Sequence, residues 1–227
     1  MSYPRLTKCL PNESRHNFYD HFHKALRLGH CRMLAELGAQ DFSVDAGTRQ
    51  LMEKLNRLLE LSRTHLECEA SEVHPALEAR RPGIAITAAQ DLAGHRNALA
   101  ELESLIRSVK VATPSRRNIA GQALYRCYAL FAASDMAHMD AEETELMAVL
   151  HEAFTDDELR AMETSMIRAI PPQEMAGFME LMMPALNDPG RMAVLARLQC
   201  AMPQAEFTAL LSDVVKPLLG AGQTQAA

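Results

Sequence analysis

Two pairs of residues in this sequence have a spacing that suits a metal site. Histidine is followed four residues later by glutamate at His65 and Glu69, and again at His138 and Glu142. His74 and Glu78 have the same spacing but lie nearer the end of the predicted bundle, so spacing alone is weak evidence. Residues four apart lie one turn apart on the same face of an α-helix, so each pair can offer a nitrogen and an oxygen to one ion. One such pair is unremarkable, whereas two pairs on alternate helices indicate a shared site inside a helical bundle.

Two more histidines, His23 and His95, fall on the other two long helical segments. In antiparallel helices, residues equidistant from the connecting loop lie at the same height. By this rule His23 lies next to His65, and His95 lies within a turn of Glu69. His138 and Glu142, on the fourth helical segment, reach the same height as these residues only if the connection between the third and fourth segments is long. We therefore expect residues 111–121 to be irregular rather than helical.

The elements that would position these residues are helices. Apolar residues recur at intervals of three and four, and no stretch alternates as a β-strand does, so the sequence predicts an all-α protein. Four long helices joined by short links form an antiparallel up-down four-helix bundle by default. Pro75 should kink the second helix near its end or mark an earlier boundary. The four helices are predicted at residues 13–37, 48–79, 88–110 and 122–153.

The predicted helices become shorter in the C-terminal third of the chain. Thr155 and Glu158 form a capping box that begins a new helix. Further breaks predict about four short helices, separated at Pro171-Pro172, Asn187–Gly190 and Pro203. Short helices must bury their apolar faces against the bundle or a second copy, and a homodimer is slightly favoured. The predicted units are a bundle at 13–154, a smaller helical unit at 155–220 and a frayed tail at 221–227.

Composition excludes several classes of partner. The chain has 227 residues and a formal net charge of -6, so nucleic acid is not an expected partner. It has neither an apolar leader segment nor a run of about 18 apolar residues, so no membrane association is expected and the predicted location is the cytoplasm. Five cysteines without a C-x-x-C motif are predicted to be reduced and mostly buried.

Four segments, taken in order, resemble the hemerythrin-like, or HHE, cation-binding domain across residues 15–153. They are "HKALR" at 23–27, "HLECEASEVHPALE" at 65–78, "DLAGHRNAL" at 91–99 and "HMDAEETELMAVL" at 138–150. The resemblance implies an up-down four-helix bundle that holds a non-haem di-iron centre, with the two glutamates bridging the ions. The C-terminal segment resembles the tail of some longer bacterial members. The ligands that the resemblance implies are His23, His65, Glu69, His95, His138 and Glu142.

The donor set agrees with this assignment on chemical grounds. Four imidazoles and two carboxylates suit iron, manganese or zinc, and are too rich in nitrogen for magnesium or calcium. Carboxylates that bridge two close cations also relieve the repulsion between them. The expected cofactor is therefore a pair of iron ions, with manganese or zinc as substitutes.

The chain departs from the oxygen-carrying hemerythrins at two positions. Leu99 stands where those proteins have a second histidine on the third helix, and their fourth-helix carboxylate has the spacing of Glu143 rather than Glu142. We therefore favour sensing, iron handling or reaction with a small oxidant (O2, peroxide or NO) over reversible oxygen carriage. The alternative is a regulatory module in which the metal is structural or sensory and the C-terminal helices dock a partner. The sequence leaves open whether the protein is an enzyme.

Several residues near the predicted site have two interpretations. Glu143, Glu72 and His16 could each contribute to the site or lie outside it as ordinary polar residues of the bundle. His30 continues the stripe of His23 at a heptad interval, although a polar end of the bundle explains it equally well. Tyr19 should point towards the site, either to hydrogen-bond a ligand or as a core tyrosine.

The paired motifs predict about two metal ions per chain, predominantly iron when iron is supplied during expression. Elemental analysis of protein purified without chelators measures this stoichiometry. A value near zero would contradict the prediction.

Overall fold

The computed structural model describes residues 15–83 and 85–219, and for residues 85–91 it describes the backbone alone. Over these residues the chain is helical and contains no β-strand, as the sequence predicts. The longer helices are α1 (Tyr19–Ala39), α2 (Asp45–Cys68), α4 (Ala85–Val111) and α5 (Pro114–Ala141), with the short helices α3 (His74–Arg80) and α6 (Met147–Ala153) following α2 and α5. The C-terminal helices are α7 (Asp156–Ala169), α8 (Pro172–Ala185), α9 (Asp188–Ala201) and α10 (Gln204–Leu210).

Three segments have the wider turn of a π-helix. The first joins α2 to α3 at Glu69–Val73, the second joins α5 to α6 at Glu142–Leu146, and the third follows α10 at Leu211–Val215. The first ends just before α3, whose first turn contains Pro75. Because proline has no N–H to continue the hydrogen-bond ladder, the boundary expected near Pro75 falls at His74.

The connection between α4 and α5 differs from the prediction. Residues 111–121 were expected to be irregular, but α5 begins at Pro114 and continues through this stretch. The proline ring fixes φ at a helical value, which favours proline in a first turn. Thr113, the residue before it, is extended with φ -64° and ψ 153°, as a residue preceding proline prefers. The turn between the two helices is therefore short.

Four long helices contact one another in a closed ring. Helix α1 contacts α2 and α5, and α4 contacts the same two helices. Helix α1 begins at Tyr19, whose backbone N–H donates to the Asn17 side chain, rather than near residue 13, which lies outside the described residues. Each long helix thus has two long neighbours, and the interior of the ring is enclosed by all four.

The C-terminal helices begin where local capping signals predict. Thr155 accepts from the backbone N–H of Glu158, whose carboxylate accepts in return from the backbone of Thr155, so the capping box that begins α7 is confirmed. The Asn187 side chain accepts from the Gly190 N–H at the start of α9. The predicted tail at residues 221–227 lies outside the described residues.

Helix α8 packs against both α1 and α2, and its apolar face belongs to the same core as theirs. A Cβ atom at Gly29 would lie 2.8 Å from the Leu58 side chain and 3.2 Å from that of Leu181, so the glycine allows α8 to approach α1 closely. The methionines of α8 contribute to this core rather than to a thioether metal site. They are Met175, Met179, Met182 and Met183, all buried.

Two further predictions concern the burial of the cysteines and the presence of helices that could span a membrane. The cysteines are less buried than predicted, since Cys31 and Cys200 are exposed and Cys127 is half-buried, whereas Cys68 is buried. Cys9 lies outside the described residues. None of the helices in the described part of the chain has both the length and the apolarity to cross a bilayer.

We predict that Phe178→Ala lowers the free energy of unfolding of the metal-free protein by about 3–5 kcal/mol, because it removes a fully buried ring. Phe178 is 0% exposed and packs edge-on against Phe22 of α1, with ring centroids 5.2 Å apart. Urea unfolding followed by circular dichroism measures the change. Met192→Ala on α9 is the control, since Met192 is 67% exposed. Equal effects of the two substitutions would show that α8 does not pack on α1 in solution.

Candidate metal centre

Both histidine–glutamate pairs lie where a helix changes to a π-helical turn. Helix α2 ends at Cys68 and the turn begins at Glu69, while α5 ends at Ala141 and the second turn begins at Glu142. Such turns are rare and occur frequently at functional sites. The two motifs are thus equivalent in local structure as well as in spacing, and each glutamate is the first residue of its widened turn.

Four of the predicted residues converge inside the ring of long helices. One donor atom from each of His23, His65, Glu69 and Glu142 lies within 4.8 Å of the donor atoms of the other three. The Nε2 atoms of His23 and His65 are 3.0 Å apart. His23 Nε2 lies 3.4 Å from Glu142 Oε2, and His65 Nε2 lies 3.3 Å from Glu69 Oε1.

The remaining two predicted residues extend this group on one side. His138 Nε2 lies 2.9 Å from Glu142 Oε1, and the rings of His138 and His95 have centroids 4.5 Å apart. His95 Nε2 lies 3.6 Å from Oδ1 of Asp135. The six residues therefore form one continuous cluster, in which Glu142 contacts both halves.

The short turn before α5 did not prevent His138 from reaching His95, which corrects the argument from equal heights. Side chains on a helix tilt towards its N-terminus. On antiparallel helices this tilt carries His95 away from the connecting turn and His138 towards it. This tilt brings the two side chains closer in height, and their ring centroids are 4.5 Å apart without a long irregular connection.

Glu69 and Glu142 are buried side by side, with 2% and 3% of their surface exposed. Within the described residues, Oε1 of Glu69 and both carboxylate oxygens of Glu142 have no well-directed hydrogen bond, although imidazole nitrogens lie 2.9–3.4 Å away. Buried carboxylates without partners are costly. The donor atoms of His23, His65, Glu69 and Glu142 all lie within 4.8 Å of one another, and a cation among them would stabilise the carboxylates.

The electrostatics of the site follow from this burial. Burial, and then the negative charge of Glu142, raises the pKa of Glu69 well above its usual value. Burial opposes ionisation of Glu142 as well, but the imidazoles of His138 and His65 outweigh it and lower the pKa of that carboxyl. Burial and the neighbouring His23 lower the pKa of His65 to about 4, so its imidazole is neutral at pH 7, the form that binds metals.

These residues fit a metal ion with mixed nitrogen and oxygen ligands. Two ligand atoms that each lie about 2.1 Å from one ion are about 3.0–3.4 Å apart at tetrahedral or octahedral angles. The separations of His23, His65, Glu69 and Glu142 span this range. The mixed donor set suits iron, manganese or zinc.

Glu143 lies behind His23 rather than in the group of converging atoms. Its Oε1 accepts from His23 Nδ1 at 2.8 Å and from the Arg27 guanidinium at 2.6 Å. Burial opposes its ionisation, but its bonds to His23 and Arg27 prevail and lower the pKa of the carboxyl. An anionic acceptor at Nδ1 places the proton of His23 there and leaves Nε2 with its lone pair towards the cluster.

The sequence did not predict a hydrogen-bonded chain of buried polar residues that joins Tyr128, His30 and Asp135. His30 is fully buried, with Nε2 2.8 Å from Asp135 Oδ2 and Nδ1 2.9 Å from the Tyr128 hydroxyl. His30 therefore does not belong to a polar end of the bundle, and Asp135 was not singled out. Two signals were present: His30 lies seven residues after His23, and Asp135 lies three residues before His138.

Three other residues for which the sequence left two interpretations lie outside the group of converging donor atoms. They are His16, Glu72 and Tyr19. His16 Nε2 lies 2.9 Å from Glu163 Oε2, so His16 pairs with α7. Glu72 is half-buried on the first π-helical turn and belongs to no group of converging ligand atoms in the described part of the chain. Tyr19 is buried and stacks on His23 with ring centroids 4.9 Å apart. Burial and the charges of Glu69 and Glu142 raise the pKa of Tyr19.

A small cavity of about 30 Å³ adjoins the site. Its polar lining residues are Tyr19, His65 and Glu69. The rest of the lining is Cys68, with Phe18 and Phe22 near the start of α1 and Met166, Ile170 and Phe178 from the C-terminal region. Such a volume has room for a water or a diatomic molecule but not for a larger substrate.

Comparison with models of known protein families, with curated proteins and with solved structures gives no match for this chain.

We predict that Glu142→Ala and Glu69→Ala each abolish binding of the metal pair while helix content is nearly unchanged, because each removes a carboxylate shared within the cluster. Glu143→Ala should retain the stoichiometry at saturating metal and lower the affinity by about 10–100-fold, as loss of a partner behind a ligand does. Metal titration with elemental analysis measures both effects.

Glu145→Ala is the matched control, since Glu145 lies on the same π-helical turn and is exposed. Should Glu143→Ala abolish binding while Glu142→Ala retains it, the assignment of ligands on the fourth long helix would be wrong.

Proposed function

We propose that this chain is a hemerythrin-like, non-haem di-iron protein that binds or reacts with a small oxidant such as O2, peroxide or NO. The observation that carries the proposal is the buried convergence of His23, His65, Glu69 and Glu142 beside a cavity of about 30 Å³. The ring of contacts among α1, α2, α4 and α5 supports the up-down four-helix bundle that such a centre requires.

The six clustered residues divide naturally between two ions. His23 and His65 would hold one ion, His95 and His138 the other, and Glu69 and Glu142 would bridge them. A pair of iron ions supplies two-electron redox chemistry when bound. Glu143 holds the proton of His23 on Nδ1, and this keeps Nε2 available as a ligand.

The cavity limits the substrate to a few atoms. Its lining includes one carboxylate and one imidazole, and the other side chains are aromatic, aliphatic or sulfur-containing. Such walls exclude bulk water and offer no basic group to bind an organic anion. The Tyr19 hydroxyl is buried without a hydrogen-bond partner in the described part of the chain, so it can donate to a ligand in this cavity. A neutral diatomic or peroxide therefore suits the site best.

A sensory role is the second candidate, and one contact favours it. Met166, Ile170 and Phe178 belong to the C-terminal helices or their connection and line the cavity together with Glu69. A ligand bound there touches the C-terminal region directly. In this alternative the reaction at the metal changes the packing of α7 and α8 and is read by a partner.

Anaerobic loading with Fe(II), followed by mixing with O2, H2O2 or NO, tests the proposal. We expect two irons per chain and a change in the near-ultraviolet or visible spectrum with at least one oxidant. Glu142→Ala should show neither, and Glu145→Ala should behave as the unmodified protein. Absence of iron binding, or no spectral response to all three oxidants, would overturn the proposal.

The same experiment separates the two candidate roles. Consumption of many equivalents of H2O2 per chain indicates an enzyme. A single stoichiometric reaction, accompanied by a change in protease sensitivity of residues 155–219, indicates a sensor.

A further inference from the structure

We propose that Asp135 is a seventh ligand of the centre, on the side of His95 and His138, and that His30 and Tyr128 hold it in place. This inference rests on the proposed function, because it concerns the same metal pair. Leu99 on α4 stands where the oxygen-carrying hemerythrins have a second histidine. Asp135, on α5, would replace that missing ligand.

The position of Asp135 favours ligation. It lies three residues before His138, so both side chains are on one face of α5. Only 3% of its surface is exposed. The carboxylate also lies close enough to His65 and Glu69 for its charge to affect their pKa values. A third buried carboxylate beside Glu69 and Glu142 adds to the negative charge that a cation would neutralise.

The distance to His95 fits two ligands of one ion better than a hydrogen bond. Oδ1 of Asp135 lies 3.6 Å from His95 Nε2, which is beyond hydrogen-bond length. Ligands at about 2.1 Å from a shared ion are separated by about 3.0–3.4 Å, so a small adjustment brings both atoms onto one metal.

The chain behind Asp135 fixes the other oxygen. Oδ2 accepts from His30 Nε2 at 2.8 Å, and His30 Nδ1 accepts from the Tyr128 hydroxyl at 2.9 Å. His30 and Tyr128 are fully buried, and a polar chain of this kind in an apolar core is stable only when each member is satisfied. Metal-ligating carboxylates are commonly held by such outer hydrogen bonds. This leaves Oδ1 directed towards His95.

The extra ligand makes the two ions unequal. The ion at His95 and His138 would have five protein donors, with Asp135 and the two bridging glutamates. The ion at His23 and His65 would have four, and His65 and Glu69 are the residues that line the cavity. The ion held by fewer residues would therefore be the one beside the cavity, where the oxidant would bind.

Titration of the metal-free protein with Co(II), followed by its visible spectrum and by elemental analysis, tests the inference. For Asp135→Asn we expect one ion to bind with nearly unchanged affinity and the second to weaken by more than about 100-fold, beyond the usual effect of an outer-shell substitution. The spectrum of the second ion should change in intensity, since its coordination number falls. Asp140→Asn, an exposed position on the same helix, is the matched control.

Two further variants keep the test decisive if Asp135→Asn folds poorly. Tyr128→Phe and His30→Gln leave the carboxylate in place and should weaken only the second ion, by about 10–100-fold at most. Two ions bound by Asp135→Asn with the spectrum and affinities of the unmodified protein would overturn the inference and leave the proposed function intact. Failure of the unmodified protein to bind metal would overturn both.

Discussion

The structure depends on the burial of two carboxylates against each other. Glu69 and Glu142 are carried by different helices and meet in the interior, each almost fully removed from water. Two negative charges about 4 Å apart repel by about 4 kcal/mol at an effective dielectric constant near 20. A proton or a cation stabilises the pair there, and the neutral imidazole of His65 provides a lone pair rather than a compensating charge. This is why a metal centre explains the interior better than a polar core does.

Helix α1 contributes side chains both to this polar interior and to an apolar core. His23 and His30 occupy the face of α1 that contributes to the polar interior, and Glu143 and Asp135 hold their outer nitrogens. The apolar residues of α1 lie on its remaining surface. Leu26, for example, is fully buried and belongs to the core that includes α8. The C-terminal helices therefore cover a surface of α1 that the other long helices cannot.

Features that depend on residues close together in the sequence were predictable, whereas most contacts between residues far apart in the sequence were not. The capping box at Thr155 depends on residues three apart and was found, as were the breaks at the later prolines. The pairs at His65 and His138 were visible because their members share a helix face. The contact between His30 and Asp135 joins residues 105 positions apart, so no periodicity connects them. Equal-height reasoning also failed for α5, because it required a long irregular connection, whereas α5 begins at Pro114 and His138 still reaches His95.

The position of the cavity links the chemistry to the C-terminal region. Glu69 and Phe178 both line it, and the aromatic ring is part of the contact between α8 and α1. Interiors are closely packed, so a change in the size or charge of what fills about 30 Å³ acts on its immediate neighbours first. Those neighbours are the ligand-bearing turn after α2 and the C-terminal helices. In the proposed function, reaction and signalling would therefore use the same cavity lining, and the C-terminal region would take part in either role.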